Sequence, residues 1–248
     1  MPLSPPSRSQ FDDIYNRFVI GSEFLEDKEY YEIARERYWK SLNFLIEAGV
    51  QPTERVVEFG GGQMSILLHH LYQMDCTVAD ISEDFRAPVD AAGLAFCVGD
   101  LARDPPVADL ARPFDLVVML EVIEHIPEPP QRPLRRLAAI LAPDGRIFLT
   151  TPNLFRLRNT ARMILGRDYL DRFMDPMDGV CLGHQAEYSL DHLCWQGEMA
   201  GYAVDLAKED QLGVSGHSAA SRMARRLLSP LMLRPRWREG LVMMLRKK

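Results

Sequence analysis

Arg55-Val56-Val57-Glu58-Phe59-Gly60-Gly61-Gly62-Gln63-Met64-Ser65 places a β-branched apolar run, an acid and three glycines in immediate succession. Val56 and Val57 suit a strand covered on both faces, and Glu58 falls where that strand ends. Glycine carries no Cβ, so Gly60, Gly61 and Gly62 allow a sharp turn and a close approach to a bound ligand. From Ser65 onward Ile66-Leu67-Leu68, His69-His70 and Leu71-Tyr72 follow the spacing of an amphipathic helix. The glycines therefore occupy a strand-to-helix junction, the place where open α/β sheets bind their ligands.

Glu58 bears on the kind of ligand. Dinucleotide folds seat a pyrophosphate on the first amides of this helix, where backbone N–H groups and the helix dipole favour negative charge. A carboxylate at the turn opposes such a group and suits a cationic one. S-adenosylmethionine, with its ammonium and sulfonium, is cationic in this way, and the sequence here resembles the class I S-adenosylmethionine-dependent methyltransferases. Their first motif has an acid and then alternating glycines in this position, which implies cofactor contacts for Glu58, Gly60, Gly61 and Gly62. Met64 departs from the pattern, which often has a further glycine there. The glycine run taken alone is equally compatible with a turn that binds nothing.

Length and composition set the frame. A chain of 248 residues is enough for one well-cored domain, and 47% hydrophobic with 26% charged residues is ordinary for a globular protein. A net charge of -6 argues against a general nucleic-acid surface. Cys76, Cys97, Cys181 and Cys194 form no CxxC pair, and a reducing compartment fits them. No apolar run reaches the length of a membrane span, and the first residues lack the form of a signal peptide, so a cytoplasmic location is expected.

In chain order, residues 1–9 are rich in Pro and Ser and are expected to form a loose arm. Residues 11–49 read as helices, giving an N-terminal arm and helical cap over 1–50, with the methyltransferase domain over 51–248. Tyr15, Tyr30 and Tyr31 in the cap could close on a ligand or simply pack. Cys76-Thr77-Val78-Ala79-Asp80-Ile81-Ser82 is a second strand ending in an acid about 20 residues beyond the glycines, where a carboxylate meets ribose hydroxyls. Asp80 and Ile81 are accordingly assigned to the cofactor site; the competing role for Asp80, a helix N-cap, can fall to Ser82. A third strand, Leu94 to Val98, leads to Asp100 and Leu101. By the resemblance, Asp100 meets the adenine amino group and Leu101 lies against its ring.

Phe114-Asp115-Leu116-Val117-Val118-Met119-Leu120 is the fourth strand and runs into Glu121-Val122-Ile123-Glu124-His125. This second motif is similar to that of small-molecule methyltransferases of the ubiquinone-biosynthesis type and adds Glu121 to the cofactor set. Ile147 to Thr150 is the fifth strand, Tyr202 to Leu206 the sixth, and Gly240 to Leu245 the last. The expected fold is α/β: a Rossmann-like, mostly parallel seven-stranded sheet with an antiparallel last strand and helices on both faces. Residues 151–188, with His184-Gln185-Ala186-Glu187-Tyr188-Ser189 at their end, correspond to the acceptor wall of the family. An insertion over 210–238 mixes arginines with apolar residues. Its stretch 221–238 raises membrane contact as one reading, and a packed insertion or a homodimer interface as the preferred one.

Methyl transfer is an in-line displacement, so the protein must chiefly align the partners and exclude water. A hydroxyl acceptor gains from a base, and His125 and His184 are the candidates. No metal set is expected: Glu121, Glu124 and His125 lack accompanying Asp or Asn, and the adjacent His69 and His70 point to different faces of a helix. The sequence thus predicts S-adenosylmethionine-dependent methylation of a small molecule, most simply at oxygen, in secondary-metabolite, glycan or quinone biosynthesis. An NAD(P)-dependent oxidoreductase and a non-catalytic binding module are the alternatives.

Overall fold

The computed structural model describes residues 2–22, 24, 28–107, 112–170, 183–213, 230 and 233–248. Seven strands form one sheet in the order β3-β2-β1-β4-β5-β7-β6. They are β1 (Arg55–Phe59), β2 (Asp75–Asp80), β3 (Ala95–Val98), β4 (Phe114–Leu120), β5 (Leu141–Pro152), β6 (Tyr202–Asp210) and β7 (Gly240–Lys247). β7 alone runs antiparallel to its neighbours, as expected from the sequence. β5 is longer than the predicted 147–150, because the turn around Asp144 is absorbed as an irregularity in its pairing with β4.

Alternation along the strands divides the core into two layers, since successive side chains point to opposite faces of a sheet. Val56, Val118 and Phe148 face one layer with Leu42, Leu45, Leu67 and Val89. These come from α2 (Lys28–Glu47), α3 (Gln63–Tyr72) and α4 (Arg86–Ala91). Val57, Val117 and Leu149 face the other, with Leu134, Leu137 and Leu193 from α5 (Gln131–Leu137) and α7 (Leu190–Met199). Ser189 caps α7 by accepting from the His192 N–H. Each fully buried aliphatic side chain here contributes about 1.5–3 kcal/mol by leaving water.

The N-terminal residues do not form the expected loose arm. Ser7 and Gln10 make a reciprocal capping box that starts α1 (Arg8–Tyr15), a motif that stabilises a helix start by about 1 kcal/mol. The Leu3 N–H donates to the Val50 carbonyl at 3.0 Å and its side chain is buried. Tyr15 and Tyr31 are also buried, with the Tyr15 hydroxyl donating to the Tyr31 carbonyl. They are packing residues rather than a lid. His70 stacks on Phe18 at 3.8 Å while His69 bonds the Met74 carbonyl. Most of the 210–238 insertion, including Arg222, Arg225 and Arg226, lies outside the described residues, as does Cys181. Among those described, no helix is long and apolar enough to cross a membrane.

Strand order reverses between β1 and β4, each of which follows the sequence of its neighbours in the opposite direction. At such a switch point the loops leaving the carboxyl ends of the strands diverge and open a crevice. Gly60 to Gly62 and Glu121 to His125 follow these two strands.

Candidate active site

Gly60, Gly61 and Gly62 have φ of 87°, 51° and 91°, the left-handed region that residues with a Cβ avoid. A Cβ on Gly62 would also lie 2.6 Å from Val78, so the turn is compressed onto β2. Glu58, 1% exposed, turns beneath it. Its Oε2 accepts from the Ser65 N–H at 2.5 Å and its Oε1 from the Met64 N–H at 3.2 Å. This corrects the expectation of a carboxylate facing the ligand, since Glu58 faces the first amides of α3. Burial pushes its pKa up to about 7, against the lowering effect of the two amides. The Met64 and Ser65 amides, where an anion could otherwise dock, are thereby occupied by a carboxyl group of the chain's own. Met64 places its side chain in the core, which is why the departure from glycine leaves the crevice clear.

Asp80 ends β2 beside the glycines. Its Oδ2 accepts from the Gly61 N–H at 3.3 Å and its Oδ1 from the Ser82 N–H at 2.9 Å. Burial raises its pKa, and these amides oppose the shift. Ser82, not Asp80, supplies the N-cap, accepting from the Asp84 N–H. Ile81 is 58% exposed, a large apolar side chain presented to the crevice end of the sheet. Asp100 folds back on the Ala102 N–H and pairs with Arg103 at 3.1 Å. Leu101 differs from expectation: it is buried in the second core layer, leaving Ile81 as the apolar surface available to a ring.

Glu121 is held in an unusual state for a residue with a side chain, φ 57°. Its Oε1 accepts from the Thr150 hydroxyl at 2.8 Å, and its Oε2 lies 3.7 Å from Arg37 Nη1. Arg37, a residue of α2 that the sequence reading did not single out, lines a cleft with Glu121, Arg156, Leu212 and Glu239. Arg37 Nη2 donates to the Tyr30 hydroxyl at 2.8 Å, while Nε is buried without a hydrogen-bond partner among the described residues. A buried donor without a partner costs about 1–3 kcal/mol. An arginine among helical residues of the cap carries no sequence signal that separates it from Arg35, which forms a part-buried pair with Asp12.

The two histidines meet. Although far apart in sequence, His125 and His184 pack edge to face with ring centroids 4.9 Å apart. His125 Nδ1 lies 3.3 Å from the Gly183 carbonyl, and the Gln185 N–H donates to the Glu124 carbonyl at 2.7 Å. His184 Nδ1 lies 3.3 Å from Glu187 Oε1. Glu187 in turn accepts from Arg156 Nη2 at 2.5 Å and from Asn159 Nδ2, two residues at the start of α6 (Leu157–Ile164) and its N-cap. Glu124 is fully buried; Thr151 donates to its Oε2 at 3.0 Å, and Oε1 has no hydrogen-bond partner among the described residues. Burial and then the charge of Glu121 hold its pKa well above the carboxylate range. One donor atom each of Glu124, His125 and His184 lies within 4.8 Å of the others. The sequence considered Glu121, Glu124 and His125 for a metal; His184 is the member that spacing alone could not bring in.

Residues 30–207 match a family model described as a methyltransferase domain. Ubiquinone biosynthesis O-methyltransferase of Aeromonas salmonicida is 34% identical over 37% of this chain and 36% of its own length. The Caulobacter protein of the same name is 37% identical over 47% of each. The chain thus matches less than half the length of these relatives. Magnesium protoporphyrin IX methyltransferase of Synechocystis, solved with bound S-adenosylhomocysteine, superposes with a TM-score of 0.55 at 16% identity, covering 97% of this chain and 95% of that one. A S-adenosylmethionine-dependent methyltransferase of Thermotoga maritima gives 0.58 at 16% identity, covering 96% and 100%.

Proposed function

The chain belongs to the methyltransferase domain family, and from that premise we propose that it methylates a hydroxyl group of a small molecule with S-adenosylmethionine as cofactor. The observation that carries the reading is the use of Glu58 to occupy the Met64 and Ser65 amides. With that anion site filled, the crevice suits an adenosine compound without phosphate, and a pyrophosphate cofactor has nowhere to dock. When bound, the cofactor supplies a methyl group on a sulfonium, open to displacement by a nucleophile in line with the C–S bond.

The residues then divide the work. Gly60 to Gly62 give the close backbone approach, Asp80 presents an acceptor to the ribose hydroxyls, Ile81 offers an apolar face to the base, and Asp100 accepts from its amino group. Arg37, which lines the cleft, meets the carboxylate end, and Glu121 faces the ammonium. On the acceptor side, His184 takes the hydroxyl proton, and His125 shapes the wall behind it. The curated relatives are named for O-methylation in ubiquinone biosynthesis, which makes phenols and catechols the first acceptors to try.

Calorimetry separates the cofactor classes: S-adenosylhomocysteine binds and NAD does not. Heat with NAD and none with S-adenosylhomocysteine would return the chain to the oxidoreductase alternative. A panel of phenols and catechols, assayed by transfer of a labelled methyl group, then tests the acceptor. Cofactor binding with no transfer to any member would favour the non-catalytic reading over the one proposed.

A further inference from the structure

Resting on the reading of His184 as the proton acceptor, we infer that Glu187, clamped by Arg156 and Asn159, is a positioning residue that fixes which nitrogen of His184 is free to act. The Glu187 side chain is 1% exposed, and the donors that hold it both come from one stretch of chain. Arg156 Nη2 reaches Oε1 and Asn159 Nδ2 reaches Oε2. Arg156 Nε also donates to Asn159 Oδ1 at 3.3 Å, and Asn159 Nδ2 to the Leu154 carbonyl at 3.1 Å. Neither donor can turn away without breaking a second bond. The carboxylate plane is therefore set before His184 approaches it.

A carboxylate held by two donors has no proton to offer, so the contact with His184 Nδ1 requires the ring to donate. In a neutral imidazole that leaves the lone pair on Nε2. The same logic gives His125 an Nδ1 proton on the Gly183 carbonyl. The partner of His184 is a carboxylate, and this bears on where the proton can go. During transfer the acceptor oxygen forms its bond to the methyl carbon, the C–S bonding pair returns to sulfur, and the hydroxyl proton passes to Nε2 of the base. The positive charge lost at sulfur reappears on an imidazolium. Beside Glu187, 3.3 Å from Nδ1, that charge meets a carboxylate. His184, one-third exposed at its ring, is the histidine built to receive the proton.

The test uses full-length protein labelled with 15N-histidine and treated with EDTA, with the His184→Asn variant to assign the signals. Wild-type His184 is expected to show a protonated Nδ1 and a bare Nε2. Glu187→Gln places an amide N–H against the Asn159 donor and should shift the ring toward a mixture of tautomers. Because that change also disturbs a buried ion pair, Asn159→Ala provides a second variant with the pair intact and the same expected direction. With any phenol or catechol that is methylated, both variants should lose kcat about 10- to 100-fold at nearly constant KM, Glu187→Asp should recover part of it, and S-adenosylhomocysteine affinity should stay within about twofold. The inference is overturned by an Nε2 proton on wild-type His184, or by ring signals that neither variant moves. A tautomer that responds as expected, in a protein that methylates nothing in the panel, supports the clamp while removing the functional reading.

Discussion

Replacing Glu58 by Gln tests the balance struck at the bend after β1. In the native protein the carboxylate is out of water and beneath two helix amides. Burial favours the neutral form; the amides and the helix dipole favour the charged one. The folded pKa near 7, against 4.5 for a free carboxyl, means burial wins. Between pH 4.5 and 7 the folded chain keeps a proton that the unfolded chain has released, so stability is lost as pH rises through this window. A shift of that size corresponds to about 3 kcal/mol. Gln cannot ionise and has no such slope, but its amide group confronts one of the two N–H donors, at a constant cost of about 1–3 kcal/mol. Urea unfolding of both proteins at pH 5, 6, 7 and 8 should therefore show the Gln variant weaker at pH 5 and the gap narrowing or reversing by pH 8. Contributions from Asp80 and Glu124, also raised, are common to both proteins and cancel in the difference. A gap that widens with pH would refute the reasoning, because it would show the amides outweighing desolvation.

Three further outcomes follow from the crevice. Arg37→Met should weaken S-adenosylhomocysteine about tenfold by calorimetry and leave 5′-methylthioadenosine, which lacks the amino-acid end, unchanged; equal losses would place Arg37 outside the cofactor site. Asp80→Asn should raise the dissociation constant of both compounds by about tenfold, with a stability loss of about 1–3 kcal/mol from the amide group set against the Gly61 or Ser82 N–H. Gly62→Ala, forced to a φ of 91° with its Cβ 2.6 Å from Val78, should lower unfolding stability by about 1–3 kcal/mol and bind the cofactor poorly; a stable variant with native affinity would mean the loop relaxes freely.

The cofactor half of the molecule was legible because its signals are local. A strand, an acid and a glycine turn lie within a few residues, and the seven strands stand where alternating and buried apolar runs put them. Local grammar misled where a side chain had two destinations. Glu58 reads as a ligand contact until the Met64 and Ser65 amides are seen to compete for it. Leu101 follows an acid as Ile81 does, yet one is buried in the core and the other is 58% exposed. The Pro/Ser-rich start reads as a loose arm, although the spacing of Ser7 and Gln10 already carries the cap that starts α1.

The acceptor half resisted reading for a different reason: its contacts are made between elements. Glu187 looks like one acid in a polar run, and Arg156 and Asn159 look like the surface of a short amphipathic helix, until α6 folds against the segment before α7. Burial then makes the pairing decisive, since a carboxylate with 1% of its side chain exposed must have partners. His184 reaches Glu187 only through that assembly, whereas His125 sits in its motif from the start. In a fold whose cofactor crevice is set by strand ends, acceptor chemistry depends on how the later loops pack across them, which is where members of one family are free to diverge.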